Sequence, residues 1–405
     1  MEENKEKLKV GLFIDTWFPM VDGVIMVVDN YARRLSKFCD VVVFAPEGRK
    51  KFDDSTLPYK VVRCKKKFKL GFLDYDLPLP NADRAFKKAL EDAKLDIVHI
   101  HSPFSIGKMG VMYAKKHNIP AVATMHSQYK QDFKKAVKLK CLTNIMVATI
   151  INTLNKCTEC FAVNEGVENL FVKEYKLKAK TSVLYNATDL VKIDFKEQDF
   201  KDFDNKYGIT PEEKVFVFVG RIIELKNVFF IAKALKKLKE DGLSFKMFYV
   251  GSGPDLEKLK KKVTQYGLEN NVVFAGKITN RDEMAMFYAR SNLTLFPSIY
   301  DTDGLIKYEA ACYSTPTASV KGFLCASNIK DGVNGYLSDY SVESFAKRIE
   351  DVFKDEKEYA KVCENAHKDL YNTWDKSIDK LYAKYLAICK GFKTMGGKTK
   401  KAKKI

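Results

Sequence analysis

Short apolar runs alternate with helix-length amphipathic segments almost from end to end, and this alternation limits what the chain can become. KVGLFID, VVVFAP, DIVHIHS, PAVATMH, ECFAVN and TSVLYNA precede residue 190, and KVFVFVG, KMFYVG, VVFAGK, LTLFPS and PTASV follow it. Runs this short, rich in Val, Ile and Phe, read as strands buried on both faces. Between them, stretches such as FIAKALKKLKEDG and DLEKLKKKVTQYG carry apolar residues at helical spacing and end in glycine. Strand–helix–strand repeats of this kind build parallel sheets with helices on both sides, and 405 residues exceed what one core usually organises. The pattern lapses around 190–213, in VKIDFKEQDFKDFDNKYGITPEEK, and then resumes. The fold class expected is therefore α/β, with two doubly wound Rossmann-like domains facing a cleft and ligands at the carboxyl ends of the strands. The expected domains are residues 1–192, residues 193–373, a helix over 374–392 packing back on the first domain, and a tail over 393–405. The final 16 residues hold seven lysines and no acid, which predicts disorder there.

Charge and cysteines narrow the setting. Seventy Lys and Arg against 52 Asp and Glu give +18, which attracts polyanions without choosing among nucleic acid, anionic lipid and nucleotide phosphates. Nine scattered cysteines suit buried thiols in a reducing compartment. CTEC at 157–160 has no second pair and no nearby histidine, so a metal or redox role is not expected. The longest apolar candidate, LTNIMVATIINTL, is too short to span a bilayer, and the chain is read as cytoplasmic.

Candidate chemistry collects at strand ends. KVFVFVG is followed by RIIELKN, which puts Arg221 and Lys226 at the carboxyl edge of the second domain's first strand. A bidentate guanidinium and a compact ammonium can neutralise a departing diphosphate without a metal. In the first domain, FIDTWFPMVDGV brings Gly23 to a loop before a helix, where backbone amides can approach an anion. No GxGxxG or Walker lysine is present, which argues against dinucleotide or P-loop binding. YDTDGLIKYEAACY, residues 300–313, places Asp301 in a loop, Gly304 and Leu305 at a helix start, and Glu309 on that helix. Amides at such a start suit phosphate, and the two acids suit paired hydroxyls of a sugar and a ribose. Asp303, between them, is read as an acid complementing the helix end. His99 and His101 are expected to divide between core and cleft edge, with His101 the candidate for substrate contact. The DxD triplets at 74, 202 and 301 are expected by chance at this aspartate content, and no metal site is inferred.

Read together, DTWFPMVDGV, DIVHIHSPFSIG, TMHSQY, VLYNATD, VGRIIELKN, VGSGPDLEKL, VFAGKI, FPSIYDTDGLIKYEAACYSTP and DGVNGYL resemble the ordered motifs of family 4 glycosyltransferases of the GT-B fold, from residue 8 to about 390. The DTWFPMVDGV start and the HSPFSIG to HSQY interval are similar to bacterial enzymes that glucosylate diacylglycerol. The resemblance implies a retaining, metal-independent transfer of a hexose, glucose from UDP-glucose, onto a membrane lipid such as diacylglycerol, with no cofactor. A surface-polysaccharide or teichoic-acid precursor is the alternative acceptor, and a degenerate scaffold binding polyanions is the alternative to an enzyme. It assigns Gly23, Arg221 and Lys226 to the donor diphosphate, which the helix-start amides of Gly304 and Leu305 are also expected to meet, Glu309 to the nucleotide ribose, and Asp301 and His126 to the sugar and the reacting centre. Asp301 stands where the family usually has glutamate, and Asp303 where it has phenylalanine or glutamine.

From 101 to 140 the chain holds eight lysines and one acid, Asp132. HSQYKQDFKKAVKLK spaces Tyr129, Phe133 and Val137 at i, i+4 and i+8, a basic amphipathic helix of the kind that lies on anionic bilayers. Lys134, Lys135, Lys138 and Lys140 are the expected docking cations at the inner face of the cell membrane. Nucleic acid is not expected, because no stripe of interleaved aromatics and cations lies outside this helix.

Overall fold

The structure is a computed structural model that describes residues 7–69, 76–136 and 140–402. The chain forms two compact units, Met1–Asn186 with Trp374–Ile405, and Ala187–Thr373.

In the first unit the strands are β1 (Lys9–Phe13), β2 (Asp40–Pro46), β3 (Lys60–Cys64), β4 (Lys67–Phe68), β5 (Leu77–Pro78), β6 (Ile97–Ile100), β7 (Ala121–Met125), β8 (Glu159–Ala162) and β9 (Thr181–Val183). Seven of them form one sheet in the order β3-β2-β1-β6-β7-β8-β9, all parallel, while β4 and β5 pair as a short antiparallel ribbon. The order reverses between β1 and β6, the point where such sheets open a crevice at their carboxyl ends.

The second unit repeats the plan with β10 (Lys214–Val219), β11 (Phe245–Val250), β12 (Val272–Gly276), β13 (Leu293–Leu295), β14 (Thr317–Val320) and β15 (Tyr336–Ser338). Their order is β12-β11-β10-β13-β14-β15, all parallel, with the reversal between β10 and β13. Strand β10 shows why its run has no polar alternation. Phe216 and Phe218 enter one core with Leu235, Leu259 and Ile349, and Val215 and Val217 enter another with Phe203, Phe287 and Tyr288. Both faces of the strand are covered, so each of these side chains contributes roughly 1.5–3 kcal/mol by its burial.

Two boundaries differ from the sequence reading. The division falls at Asn186/Ala187, not at 192/193, because Leu190 belongs to the second unit's core and its carbonyl accepts from the Tyr371 hydroxyl. One buried leucine in a polar connector was too weak a signal to place the break. The last helix, Trp374–Ala402, continues past residue 392, where an irregular tail was expected, and residues 403–405 lie outside the described residues. Its Trp374, Ile378, Leu381 and Tyr385 are buried at helical spacing, and Asp375 reaches Arg34 at 3.4 Å, all within the first unit.

Candidate active site

At the second unit's reversal point, the loops after β10 and β13 are tied together. Lys226 ends a short turn, Glu224–Lys226, and its Nζ lies 2.8 and 3.0 Å from the two carboxylate oxygens of Asp301. Ser298 donates to Asp301 Oδ2 at 2.6 Å, and Asn227, in a left-handed conformation with φ 57°, donates to the carbonyl of Pro297 at 2.7 Å. The loop after β11 closes on the same place. A Cβ on Gly251, whose φ is +143°, would sit 1.9 Å from the carbonyl oxygen of Gly220, so backbone packs on backbone where a side chain cannot fit. Arg221 stands beside this knot, exposed, and forms no hydrogen bond or ion pair among the described residues. The result is one cation held by a carboxylate and a second cation available to an incoming anion.

The 300–313 stretch divides its acids among different partners. Gly304 has φ +80°, and a Cβ there would come within 2.4 Å of Phe296 Cε1, so the turn demands glycine twice over. The helix after it is only Ile306–Cys312, with Leu305 at its N-cap and no side chain capping it. Glu309 accepts from the Tyr288 hydroxyl at 2.7 Å and lies 3.4 Å from Arg281 Nη1, and Arg281 also pairs with Asp189. Asp303 departs from the sequence reading. It is 3% exposed and forms an ion pair at 2.6 Å with Lys307, which is 1% exposed, while Tyr308 donates to it at 3.0 Å. Lys307 also donates to the carbonyl of Cys325 at 2.9 Å. The acid is thus a core group bound to a lysine four residues on, not a surface complement to the helix end. Its spacing from Lys307 was the available signal, and nothing in the sequence marked either residue as buried.

Within the DTD triplet, then, Asp301 and Asp303 each engage a lysine. Asp204 of DFD pairs with Arg290, and Asp76 of DYD with Arg49 and Lys67, whereas Asp74 lies outside the described residues. Sequence reasoning missed Ser298, Tyr288 and Arg281, which hold the two functional acids from elsewhere in the fold.

The first unit's reversal point carries histidines. His126 follows β7, and its Nε2 lies 3.1 Å from His101 Nδ1. His99 lies between the Tyr385 hydroxyl at 2.6 Å and Thr124 Oγ1 at 2.7 Å. His99 and His101 do not divide between core and edge. His99 lies on β6 and His101 just past its end, two positions on and so on the same face, and their rings lie 4.1 Å apart, both buried. Burial pushes the His126 imidazole down to about 3, and burial followed by the neighbouring histidines holds His101 well below the usual range. All are neutral at pH 7.

Helix N-termini in this unit already have anionic partners. Asp22 caps the helix Gly23–Leu35 by accepting from the Ile25 amide, so Gly23 opens a helix whose first turn is partly satisfied. A Cβ on Gly23 would meet nothing within 4 Å. Buried Asp15 accepts from the amides of Ile106 and Gly107 and from Ser102 and Ser105, filling the start of helix Ser105–His117.

The basic helix also differs from expectation. Tyr129 and Phe133 are 4% and 8% exposed and pack against Phe104, with Tyr129 also against Phe171, so the apolar stripe of Tyr129–Ala136 faces inward. A period-four stripe fits a core-facing surface helix equally well, and here the core took it. Lys134 and Lys140 are exposed; Lys138 and Val137 lie outside the described residues, as does the side chain of Lys135. The next helix, Lys140–Leu154, has no charged residue after Lys140, yet leaves Leu142 40% and Ile145 61% exposed. Among the described residues no helix is long and apolar enough to cross a membrane.

Comparison with known proteins fits both units. Residues 199–369 match the family model described as glycosyl transferases group 1, and residues 21–192 match glycosyltransferase family 4. The chain is 28% identical over 319 residues to an alpha-monoglucosyldiacylglycerol synthase of Streptococcus pneumoniae, covering 76% of this chain and 70% of that protein. It is 25% identical over 417 residues to the alpha-monoglucosyldiacylglycerol synthase of Acholeplasma laidlawii, covering 92% and 100%. A crystal structure of Anabaena Alr3699/HepE in complex with UDP-glucose superposes with a TM-score of 0.70 at 17% identity, covering 93% of this chain and 99% of that one.

Proposed function

The chain belongs to the group 1 and family 4 glycosyltransferases of the GT-B fold and is a hexosyltransferase, and from that premise we propose that it moves glucose from UDP-glucose, with retention and without a metal, onto a membrane lipid such as diacylglycerol. The observation that carries this reading is the Lys226–Asp301 pair with exposed Arg221 ahead of Lys226 in the same loop, where it has no ion pair among the described residues. Arg221 and Lys226 receive the donor diphosphate. Lys226 then shares its charge between phosphate and carboxylate, and Asp301, still held by Ser298, turns an oxygen toward the sugar hydroxyls. As the anomeric bond breaks, negative charge grows on the diphosphate, and the two cations stabilise it where it develops. The diphosphate oxygen takes the acceptor's proton on the same face of the sugar. Glu309, bound by Tyr288 through one oxygen and 3.4 Å from Arg281 through the other, exchanges the Arg281 contact for the ribose, and the amides at Gly304 and Leu305 face the diphosphate. His126, neutral, supplies a hydrogen bond to the donor.

UDP-glucose is supported by the fold's likeness to a complex with that donor, and the lipid acceptor by the two synthases of glucosylated diacylglycerol. Docking on the inner face of the cell membrane is supported by exposed Lys134 and Lys140 next to the uncharged Leu142 and Ile145. Sedimentation with vesicles tests that part: binding is expected with phosphatidylglycerol, weakening with salt and with Lys134→Gln/Lys140→Gln/Ile145→Asn. Equal pelleting of that variant and the parent would remove the surface from the proposal. Donor hydrolysis without acceptor, compared across UDP-glucose, UDP-galactose and GDP-mannose, tests the sugar, and faster turnover of either rival would replace UDP-glucose.

A further inference from the structure

Asp301 is held from two sides. Lys226 pairs with it from the loop after β10, and Ser298, fully buried in the turn after β13, donates its hydroxyl to Asp301 Oδ2 at 2.6 Å. The oxygen of that hydroxyl accepts from the amides of Tyr300 at 3.3 Å and Asp301 at 3.2 Å. A serine hydroxyl has one hydrogen and two acceptor lone pairs. Both lone pairs are therefore taken, and the one hydrogen is committed to the carboxylate.

Ser298 is itself fixed from behind. Its carbonyl accepts from Cys325 Sγ at 3.2 Å, and Cys325 is buried in the short turn Leu324–Ala326 after β14. The carbonyl of Cys325 accepts in turn from buried Lys307. The acid thus rests on a buried frame, whereas the side chains of Asp301 and Lys226 are 21% and 16% exposed. The two holds respond differently to a donor. Phosphate oxygens compete with the carboxylate for the Lys226 ammonium, because both attract the same cation. They do not compete for a buried hydroxyl whose hydrogen is already engaged. Oδ2 stays with Ser298, and Oδ1, held at 3.0 Å by Lys226 alone among the described residues, is the oxygen set free.

We propose that Ser298 is a positioning residue that keeps Asp301 in place while Lys226 turns to the diphosphate, so that Oδ1 meets the sugar in one orientation. This rests on the sugar-holding role given to Asp301 above. An aspartate carboxylate stands one methylene from its backbone, so the direction of Oδ1 is set by the local backbone and the side-chain rotamer. Ser298 fixes both, because it bonds the amide and the carboxylate of the same residue.

The test compares Ser298→Ala, Asp301→Ala and the double variant in the full chain, with UDP-glucose as donor and diacylglycerol in phosphatidylglycerol vesicles as acceptor. Ser298→Ala should cut turnover about tenfold, as for loss of one hydrogen bond to a charged group. UDP binding by calorimetry should be nearly unchanged, because the bonds of Ser298 go to Asp301, Tyr300 and Cys325 and not to the two cations. A residue that acts through Asp301 has nothing left to position once that carboxylate is gone. In the Asp301→Ala background, Ser298→Ala should therefore change turnover by less than about twofold, within the scatter of such a cycle. A full further loss in that background, or a loss of UDP binding as large as the loss of turnover, marks a merely structural role and overturns the inference. Ser298→Cys, close to serine in volume and a weaker donor, runs the same cycle if the alanine variant does not fold, and a fall that persists without Asp301 overturns the inference likewise. Asp301→Ala alone separates the two ideas. Lost turnover there beside parental turnover in Ser298→Ala overturns the inference and leaves the role of Asp301 standing, whereas undiminished turnover in Asp301→Ala overturns that role and the inference with it.

Discussion

Replacing Asp303 with asparagine removes one charge and almost no volume, and the structure makes this small change severe. Lys307 is 1% exposed, its Nζ is 2.6 Å from Asp303, and its other bond goes to the carbonyl of Cys325. With Asp303 neutral, a lysine ammonium remains in the core without a counter-charge, a defect that costs about 3–5 kcal/mol. For a unit the size of Ala187–Thr373, at about 2–4 °C per kcal/mol, that is a fall of roughly 6–20 °C in the melting of the second unit. Thermal unfolding of the full chain, with calorimetry resolving the units, reads the effect. The double variant Asp303→Leu/Lys307→Met removes both charges and should recover at least half of the loss, because an apolar pair of similar volume can replace a buried ion pair at little cost. It will not recover all of it, since Tyr308 and Cys325 each lose a partner. Melting of Asp303→Asn within 2 °C of the parent would refute the reasoning, and so would a double variant no better than the single one.

Further outcomes follow from the two strand-end clusters. Arg221→Ala should lower turnover about a hundredfold, as for loss of one electrostatic contact in the transition state, while the parent keeps its rate in EDTA; loss of the parent's rate in chelator and its return with manganese would contradict the metal-free chemistry. Asp301→Asn should mainly cut turnover, and Glu309→Gln should mainly weaken UDP binding by calorimetry, with equal damage to binding in both variants contradicting the assignment. Between pH 7 and 5 the first unit should lose stability. Its buried histidines have depressed folded values, so the unfolded chain gains protons below about 6.5 that the folded chain does not take up until far lower pH, at about 1.4 kcal/mol per pH unit for each histidine. The urea midpoint of the parent should therefore fall over that range, and more steeply than that of His101→Phe.

The sheets were legible because their strands are buried on both faces, which leaves continuous apolar runs such as KVFVFVG. Arg221, Lys226, Asp301 and Glu309 were legible because strand ends and helix starts fix where they stand along the chain. What joins them was not. The Lys226–Asp301 contact spans 75 residues, and the Tyr288–Glu309 bond spans 21; such pairs depend on which strands are neighbours, and the pattern of runs does not state sheet order. Burial of polar groups was equally hidden. Asp303 and Lys307 read as charged surface residues, and only packing against Tyr308 and Cys325 shows otherwise. Tyr129 and Phe133 fitted a membrane-facing helix and a core-facing one alike, because both environments select the same spacing.

The central claim is tested most directly by the product. The full chain should be incubated in EDTA with UDP-glucose carrying 13C at the anomeric carbon and with diacylglycerol in phosphatidylglycerol vesicles, and the lipid fraction read by NMR. The account expects label in the lipid with the α configuration of the donor retained, formed by the parent and about a hundredfold more slowly by Arg221→Ala. Label in the lipid with the β configuration, or release of UDP with all of the sugar left as free glucose, would contradict it.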